Sequence, residues 1–394
     1  MLGKLLVIIL LVLLLAGGIA GFIFYRKNFS GIWPAVNPPS SDITQAINTA
    51  TNNPGENNSN FPLQIPANMT LTIFAKDLVA PRVMVRDQSG NILVSITSEG
   101  KVVGISADGS KKTTIVSGLT QPHGLAFLCH NQCSLYIAET NQVNSYDYDA
   151  TSMSVSNKKK ILDLSGGGFH FTRTILFNNK NQLLVSIGSD CNVCDEKNPQ
   201  RAAIWIADSD GSNFRPYATG LRNSVFMEAN PNNGEVWATE MGRDYLGDDL
   251  PPDEINIIND GKNYGWPRCY GKGNHDTNFD PKGAIDSCNE TEPSFIDLPA
   301  HSAPLGLAFW QNSLLVSFHG SWNRSTPTGY KVVKITGDCI TKSDSKASCK
   351  IEDFITGWLK PGGAVGRPVD LLVDGKKIFI SDDKSGVIYL LTQK

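Results

Sequence analysis

Gly168-Phe169-His170-Phe171-Thr172-Arg173-Thr174-Ile175-Leu176-Phe177 sets a histidine and an arginine immediately before an apolar strand. The same layout restarts at Pro81-Arg82-Val83-Met84-Val85, Pro122-His123-Gly124-Leu125-Ala126-Phe127, Arg222-Asn223-Ser224-Val225-Phe226, Ala303-Pro304-Leu305-Gly306-Leu307 and Arg367-Pro368-Val369-Asp370-Leu371. Together these give six units, beginning near residues 81, 122, 173, 222, 304 and 367. In each, a turn leads to a second strand such as Ile92-Leu93-Val94-Ser95, Gln182-Leu183-Leu184-Val185-Ser186 or Ile378-Phe379-Ile380-Ser381, and then to a third. A fourth, such as Thr114-Ile115-Val116 or Phe354-Ile355, leads into the next unit. Gly, Asn and Asp turns punctuate the strands, and no stretch carries the period of an amphipathic helix. Four strands per unit, repeated six times, predict an all-β six-bladed β-propeller with four-stranded blades, whose radial repeat leaves only short edges. Leu71-Thr72-Ile73-Phe74-Ala75 precedes the first unit without partners of its own. It is expected to supply the outer strand of the last blade and close the ring.

With 394 residues, 41% hydrophobic, the chain is long enough for a large core, and a net charge of -3 argues against a polybasic nucleic-acid binder. Residues 5–25 form an apolar run between Lys4 and Arg26-Lys27. As a helix it would span roughly 32 Å, enough to cross a hydrocarbon core of about 30 Å. The apolar region of a cleaved signal peptide is usually only about 7–15 residues long, so the length favours an uncleaved transmembrane anchor over residues 1–27. Basic residues on both flanks leave its orientation open. Eight cysteines fall into local pairs, Cys129 with Cys133, Cys191 with Cys194, Cys269 with Cys288 and Cys339 with Cys349. After an export segment, that pattern reads as disulfides in an oxidising compartment, which puts the following domain on the extracytoplasmic side, periplasmic or extracellular. A redox dithiol at Cys191-x-x-Cys194, or a four-thiolate zinc site shared with Cys129 and Cys133, is the competing chemistry. Residues 28–66, rich in Asn, Pro, Ser and Thr, read as a flexible linker, leaving the propeller at 67–394.

The first strand of each blade lines the central channel, so Arg82, His123, His170 with Arg173, Arg222 and Arg367 are expected to face one another at its mouth. That mouth is cationic on a slightly acidic protein. An anionic ligand suits it, because guanidinium forks match carboxylates and cannot lose their charge. The competing reading pairs these arginines with Asp190, Asp244 or Asp253 as blade-to-blade braces.

Several motifs run in order along the whole propeller: His170-Phe171-Thr172-Arg173, Gly188-Ser189-Asp190-Cys191-Asn192-Val193-Cys194, Gly220-Leu221-Arg222-Asn223, Asp248-Asp249-Leu250-Pro251-Pro252-Asp253-Glu254, Asn263-Tyr264-Gly265-Trp266-Pro267, His319-Gly320-Ser321-Trp322-Asn323-Arg324 and Gly366-Arg367-Pro368. Together they resemble the glucose/sorbosone dehydrogenases. These are soluble-type quinoproteins on six-bladed propellers that use pyrroloquinoline quinone (PQQ) and calcium (Ca2+) to oxidise aldoses or aldehydes. The resemblance implies that His170 is the base that takes the substrate's hydroxyl proton while hydride passes to the quinone. It implies that Arg222 and Asn223 contact the quinone, that Arg367 binds a PQQ carboxylate, and that the backbone carbonyls of Gly242 and Arg243 hold the calcium. The chain departs from the glucose branch at two PQQ-binding positions. His319-Gly320-Ser321-Trp322-Asn323-Arg324 occupies the stretch where a lysine is expected, and Val369 stands in place of a second arginine. Arg324, His319 and Arg173 are the substitutes within reach of the pattern, which is that of the sorbosone branch. The resemblance further implies a sugar or aldehyde substrate and an external electron acceptor, a quinone or a cytochrome. Two other functions fit a six-bladed propeller: a calcium-dependent lactonase, which needs an axial cage of Glu, Asn and Asp side chains, and a non-catalytic ligand-binding ring.

Overall fold

A computed structural model describes residues 2–29, 55–283, 285–344 and 348–394. Most of the expected linker, residues 30–54, lies outside the described residues. The N-terminal segment is one helix, Leu2–Phe29. Within it Lys4–Ile23 has a mean hydropathy of 3.0 and is not buried against the protein, so by length and composition it can cross a membrane.

The strands form six antiparallel four-stranded units in sequence order. The inner strands are Met84–Arg86, Leu125–Cys129, Arg173–Phe177, Met227–Ala229, Pro304–Trp310 and Pro368–Asp374. The ring closes as expected: Met69–Ala75 pairs antiparallel with the C-terminal strand Val387–Gln393, so the last blade takes its outer strand from the start of the domain. Second strands such as Ile92–Ile96 and Leu183–Ile187 are buried along their whole length. Apolar positions on both faces of these strands pack against two neighbouring blades, which is why they read as continuous hydrophobic runs and not as alternation. Where a blade meets water the composition changes. The outer strand of the second blade, Ser154–Asp163, exposes Lys158, Lys159 and Lys160, charges that discourage pairing with another edge.

Neighbouring blades are joined by one repeated device. A hydroxyl at or just past the end of each second strand donates to a backbone carbonyl at the start of the next blade. The pairs are Thr97 to Pro122, Thr140 to Phe171, Ser186 to Ser224, Thr239 to Leu305, Ser317 to Val369 and, across the closure, Ser381 to Arg82. Each bond satisfies a carbonyl that a single blade's ladder leaves free.

The domain begins earlier than its composition suggests. Residues 55–66 are fastened to the last two blades: Glu56–Asn57 pairs parallel with the closing strand, and Gln64 bridges Thr356. Leu63 and Ile65 are buried beside Trp358 and Tyr389. The fourth blade carries a long excursion between its third strand, Asp253–Ile258, and its fourth, Ile296–Leu298. Part of that excursion, Lys262–Asn263, adds to the edge of the third blade, and the Cys269–Cys288 disulfide staples the remainder. All eight cysteines are paired as the local spacing implies. The four-thiolate zinc cage does not apply to this state, since each thiol it would need is consumed by a disulfide.

Candidate active site

Where the third, fourth and fifth blades meet, a cleft of about 250 Å³ is lined by Phe169, His170, Arg222, Asn223, Met241, Gly242, Asp244, Asp253, His301, Ala303, Trp322 and Asn323. His170 follows a glycine-rich loop, Gly166-Gly167-Gly168, and two buried arginines hold that loop by its carbonyls. Arg173 donates to the carbonyls of His170, Thr172 and Ser165, and Arg201 to those of His170, Gly166 and Gly167. Arg173, expected as a substitute cofactor contact, does not line the cleft and is occupied by these carbonyls. It is fully buried beneath the loop, and burial, with Arg201 beside it, lowers its pKa to about 9.

The imidazole is set from the other side. His170 Nδ1 lies 2.9 Å from the Ser189 carbonyl and 3.0 Å from Ser189 Oγ. The Ser189 hydroxyl itself donates to the Cys191 carbonyl, so its proton is engaged there. A carbonyl can only accept, so Nδ1 carries the hydrogen and Nε2 keeps its lone pair. Burial, then the nearby Arg222 charge, lowers the His170 pKa to about 3, so the ring is neutral at pH 7. The Phe169 ring meets the imidazole edge-on at 4.9 Å. Gly188 makes this approach possible: a Cβ there would stand 2.6 Å from Asn223 Oδ1 and 2.7 Å from His170 Cβ.

Arg222 is buried, and its donors are all taken up by the protein itself. Nε and Nη2 donate to the carbonyl and Oδ1 of Asn192 at 2.8 and 2.9 Å, and Nη1 to the carbonyls of Gly242 and Met241 at 3.0 and 3.3 Å. Its Nη2 also pairs with Asp244 at 3.3 Å, so the brace expected as an alternative is present here together with the cleft position. Asp253 holds the same loop from behind, accepting from Gly242 N at 2.9 Å and Ala303 N at 2.9 Å. Burial raises the pKa of both Asp244 and Asp253. Glu240 accepts from Asn223 N and Ser224 Oγ, yet burial pushes its pKa to about 8. The Arg243 side chain turns away to Asp276, at 3.3 Å, in a buried ion pair.

The remaining expected cations do not line this cleft. Arg367 donates to the carbonyls of His319 and Gly320 and lies over the Tyr330 ring. His319 Nε2 is 2.9 Å from Asp383, which also takes Arg82 at 2.7 Å. Arg324 bonds the Ala300 carbonyl and the exposed Asp249. His123 is fully buried against Phe226, with Nδ1 3.2 Å from Thr174 Oγ1. The structure thus brings His170, Arg222, Asn223 and Gly242 together in one cleft, which Arg367, His319 and Arg324 do not line. Sequence reading did not single out Asn192, Ser189, Arg201 or Asp383, whose roles depend on partners in other blades or loops. It also quoted Trp322 and Asn323 only within a motif. Trp322 stands half exposed at the rim, and Asn323 Oδ1 is buried without a partner in the cleft wall.

Comparison with known proteins follows the same lines. The TrAA12-like family pattern matches residues 63–394. An uncharacterised protein of Borreliella burgdorferi is 30% identical over 355 residues, covering 83% of this chain and 90% of its own length. A pyrroloquinoline quinone-dependent pyranose dehydrogenase of Coprinopsis cinerea is 25% identical over 86% of this chain, which spans 56% of that longer protein. The calcium structure of a Trichoderma reesei AA12-family protein superimposes with a TM-score of 0.73 at 23% identity, covering 86% of this chain and 100% of that one. At that identity the last match speaks for the fold.

Proposed function

This chain belongs to the TrAA12-like family, and from that premise we propose that it is a PQQ-dependent sugar dehydrogenase. It oxidises an aldose or related sugar aldehyde at a hydroxyl-bearing carbon and passes the electrons to an external acceptor. The observation that carries this reading is the neutral His170, with Nδ1 committed to the Ser189 carbonyl, in a cleft shared with Arg222 and Asn223.

The residues present fit the implied groups. The carbonyls of Met241 and Gly242 already bond a cation, the Arg222 guanidinium, and the unpartnered Oδ1 of Asn323 adds a further oxygen donor. Oxygen donors of this kind suit a hard cation such as calcium. Arg222 and Asn223 would contact an anionic quinone, and Trp322 and Phe169 supply apolar faces beside it. When bound, PQQ with calcium supplies the two-electron acceptor for the substrate's hydride. The chain's own residues supply the proton chemistry. His170 Nε2 accepts the hydroxyl proton as the C–H bond is broken, and the resulting imidazolium is held through Nδ1–H by the Ser189 carbonyl. Arginine cannot substitute as the base, because it stays protonated.

The N-terminal helix is read as an anchor that keeps the disulfide-bonded propeller outside the cytoplasm, with residues 30–54 as its tether. Absorbance titration of the apo protein with PQQ in the presence of calcium, followed by an aldose and an artificial acceptor, tests the reading. Saturable binding and turnover are expected, and His170→Gln should slow quinone reduction in a single turnover by about 10²–10⁴-fold. Absence of PQQ binding would overturn the cofactor assignment. A His170→Gln rate within a few-fold of wild type would move the base elsewhere.

A further inference from the structure

We propose that Asn192 is a positioning residue that locks Arg222 and the 241–244 loop into one unit, and that the Cys191–Cys194 disulfide holds Asn192 in the place where it can do so. The inference rests on the reading of Arg222 as the contact for an anionic quinone.

The loop carrying Asn192 leaves the third blade after Gly188-Ser189 and is sewn at once to the fourth, where Ser189 N donates to the Arg222 carbonyl at 2.7 Å. Two residues later the disulfide closes a ring over three sequence positions. Asn192, inside that ring, spends all of its free polar atoms on the same neighbours. Its carbonyl takes Arg222 Nε at 2.8 Å, and its Oδ1 takes both Arg222 Nη2 at 2.9 Å and Asp244 N at 2.8 Å. Its Nδ2 donates to the Asp244 carbonyl at 3.2 Å. One planar amide thus accepts from the cation and from the loop backbone while donating to that backbone. Asn and Gln carry a two-lone-pair acceptor and a donor on separate atoms of one planar group, and Gln is one carbon longer.

The geometry has a consequence for the cleft. Arg222 Nη1 is the group that meets the Met241 and Gly242 carbonyls, so the angle of the guanidinium fixes how those oxygens and the positive charge are shared. Asn192 sets that angle at the opposite side of the fork. Without the Asn192 side chain, Arg222 keeps its bonds to the Asn192, Met241 and Gly242 carbonyls and to Asp244, but Oδ1, the one atom that accepts from both the fork and Asp244 N, is lost, and with it the link that ties the fork to the loop backbone. The ring limits the loop's freedom in the same sense. Ser189 Oγ also bonds the Cys191 carbonyl, so the His170 partner and the Arg222 partner sit on one short constrained stretch.

Hydrogen exchange by mass spectrometry on the full-length protein in detergent, without cofactor, tests the positioning role. In Asn192→Ala the backbone amides of residues 241–244 should exchange at least about tenfold faster than in wild type. Asn192→Asp keeps both acceptor bonds and should restore most of the protection. Cys191→Ser/Cys194→Ser, with Asn192 intact, should fall between the two, and it carries the test if Asn192→Ala does not fold. In a parallel titration with PQQ and calcium, Asn192→Ala should bind PQQ about ten- to a hundredfold more weakly. Unchanged exchange at 241–244 in Asn192→Ala, or in the double cysteine variant when it stands in, overturns the proposal. So does equal exchange in the Ala and Asp variants. A wild-type protein that binds no PQQ overturns the functional reading instead, and the exchange measurement still decides the role of Asn192.

Discussion

Gly188→Ala adds one methyl group to the chain at the point where His170 and Asn223 come closest. The new Cβ would lie 2.6 Å from Asn223 Oδ1, 2.7 Å from His170 Cβ and 3.2 Å from His170 Cγ, whereas ordinary contact begins at 3.4 Å. Relief requires one or both side chains to retreat by about 0.7–0.8 Å, the shortfall from that limit. His170 Nδ1 now stands 2.9 Å from the Ser189 carbonyl. A retreat of that size directed away from Ser189 stretches the contact to about 3.6 Å, where it no longer counts as a hydrogen bond. The ring then loses the partner that fixes its tautomer. Misplacing a reacting group by about 1 Å can cost about a hundredfold in rate, and overpacking of this kind costs about 1–3 kcal/mol of stability. Gly188→Ala should therefore remain folded, bind PQQ, and reduce the quinone in a single turnover about a hundredfold more slowly. Stopped-flow absorbance of PQQ-loaded protein mixed with an aldose measures this directly. A rate within about threefold of wild type, with cofactor bound, would refute the claim that His170 placement against Gly188 sets the rate.

Glu240 gives a pH test. Its buried carboxyl is raised to about 8, so it stabilises the fold most fully below its ordinary value near 4.5, and that contribution is lost as pH rises through about 8. Glu240→Gln should flatten the fall in thermal midpoint across that window, and an unchanged pH profile would show the group to be ionised throughout. Mass spectrometry of unreduced, alkylated protein should find no free thiols, whereas eight labelled cysteines would put the propeller in a reducing compartment. Arg173→Met removes a buried cation that bonds three loop carbonyls, so it should lower the midpoint and loosen exchange at 165–172 more than at 241–244. The reverse order would assign Arg173 to the cleft.

The ring was legible because its signal is repeated. Each unit carries a long apolar second strand, and six such strands at irregular but bounded spacing admit few other folds. The unpaired Leu71–Ala75 stretch disclosed the closure for the same reason. His170, Arg222, Asn223 and Gly242 were legible through motifs and converge on one cleft. What sequence could not rank was which cation lines the cleft. Arg173, Arg367 and Arg324 have the same charge and similar local settings as Arg222, and all four spend their guanidinium groups on protein acceptors; of the four, Arg222 is the one whose place in the fold puts it in the cleft wall. Arg82 and Asp383 form a close pair across 301 positions, a separation at which local pattern says nothing. Residues 55–66 misled by composition. They are rich in Asn and Pro, yet Asn57 Nδ2 bonds the carbonyls of Phe61 and Leu63, so polar side chains build the local structure that apolar periodicity usually announces.

The six hydroxyl joints make the blades interchangeable as places to begin. Ser381 reaches Arg82 across 299 positions and Thr97 reaches Pro122 across 25, yet the chemistry at the two joints is the same. The ring therefore does not register where its chain starts. A circular permutant that links Lys394 to Gly55, where the segment fastened to the closing strand begins, and opens the chain in an exposed loop between two other blades, would keep every joint and every ladder of the ring. It would add a covalent connection where the unpermuted chain relies on six residue pairs of β-pairing. The position of the seam is then not a requirement of the architecture.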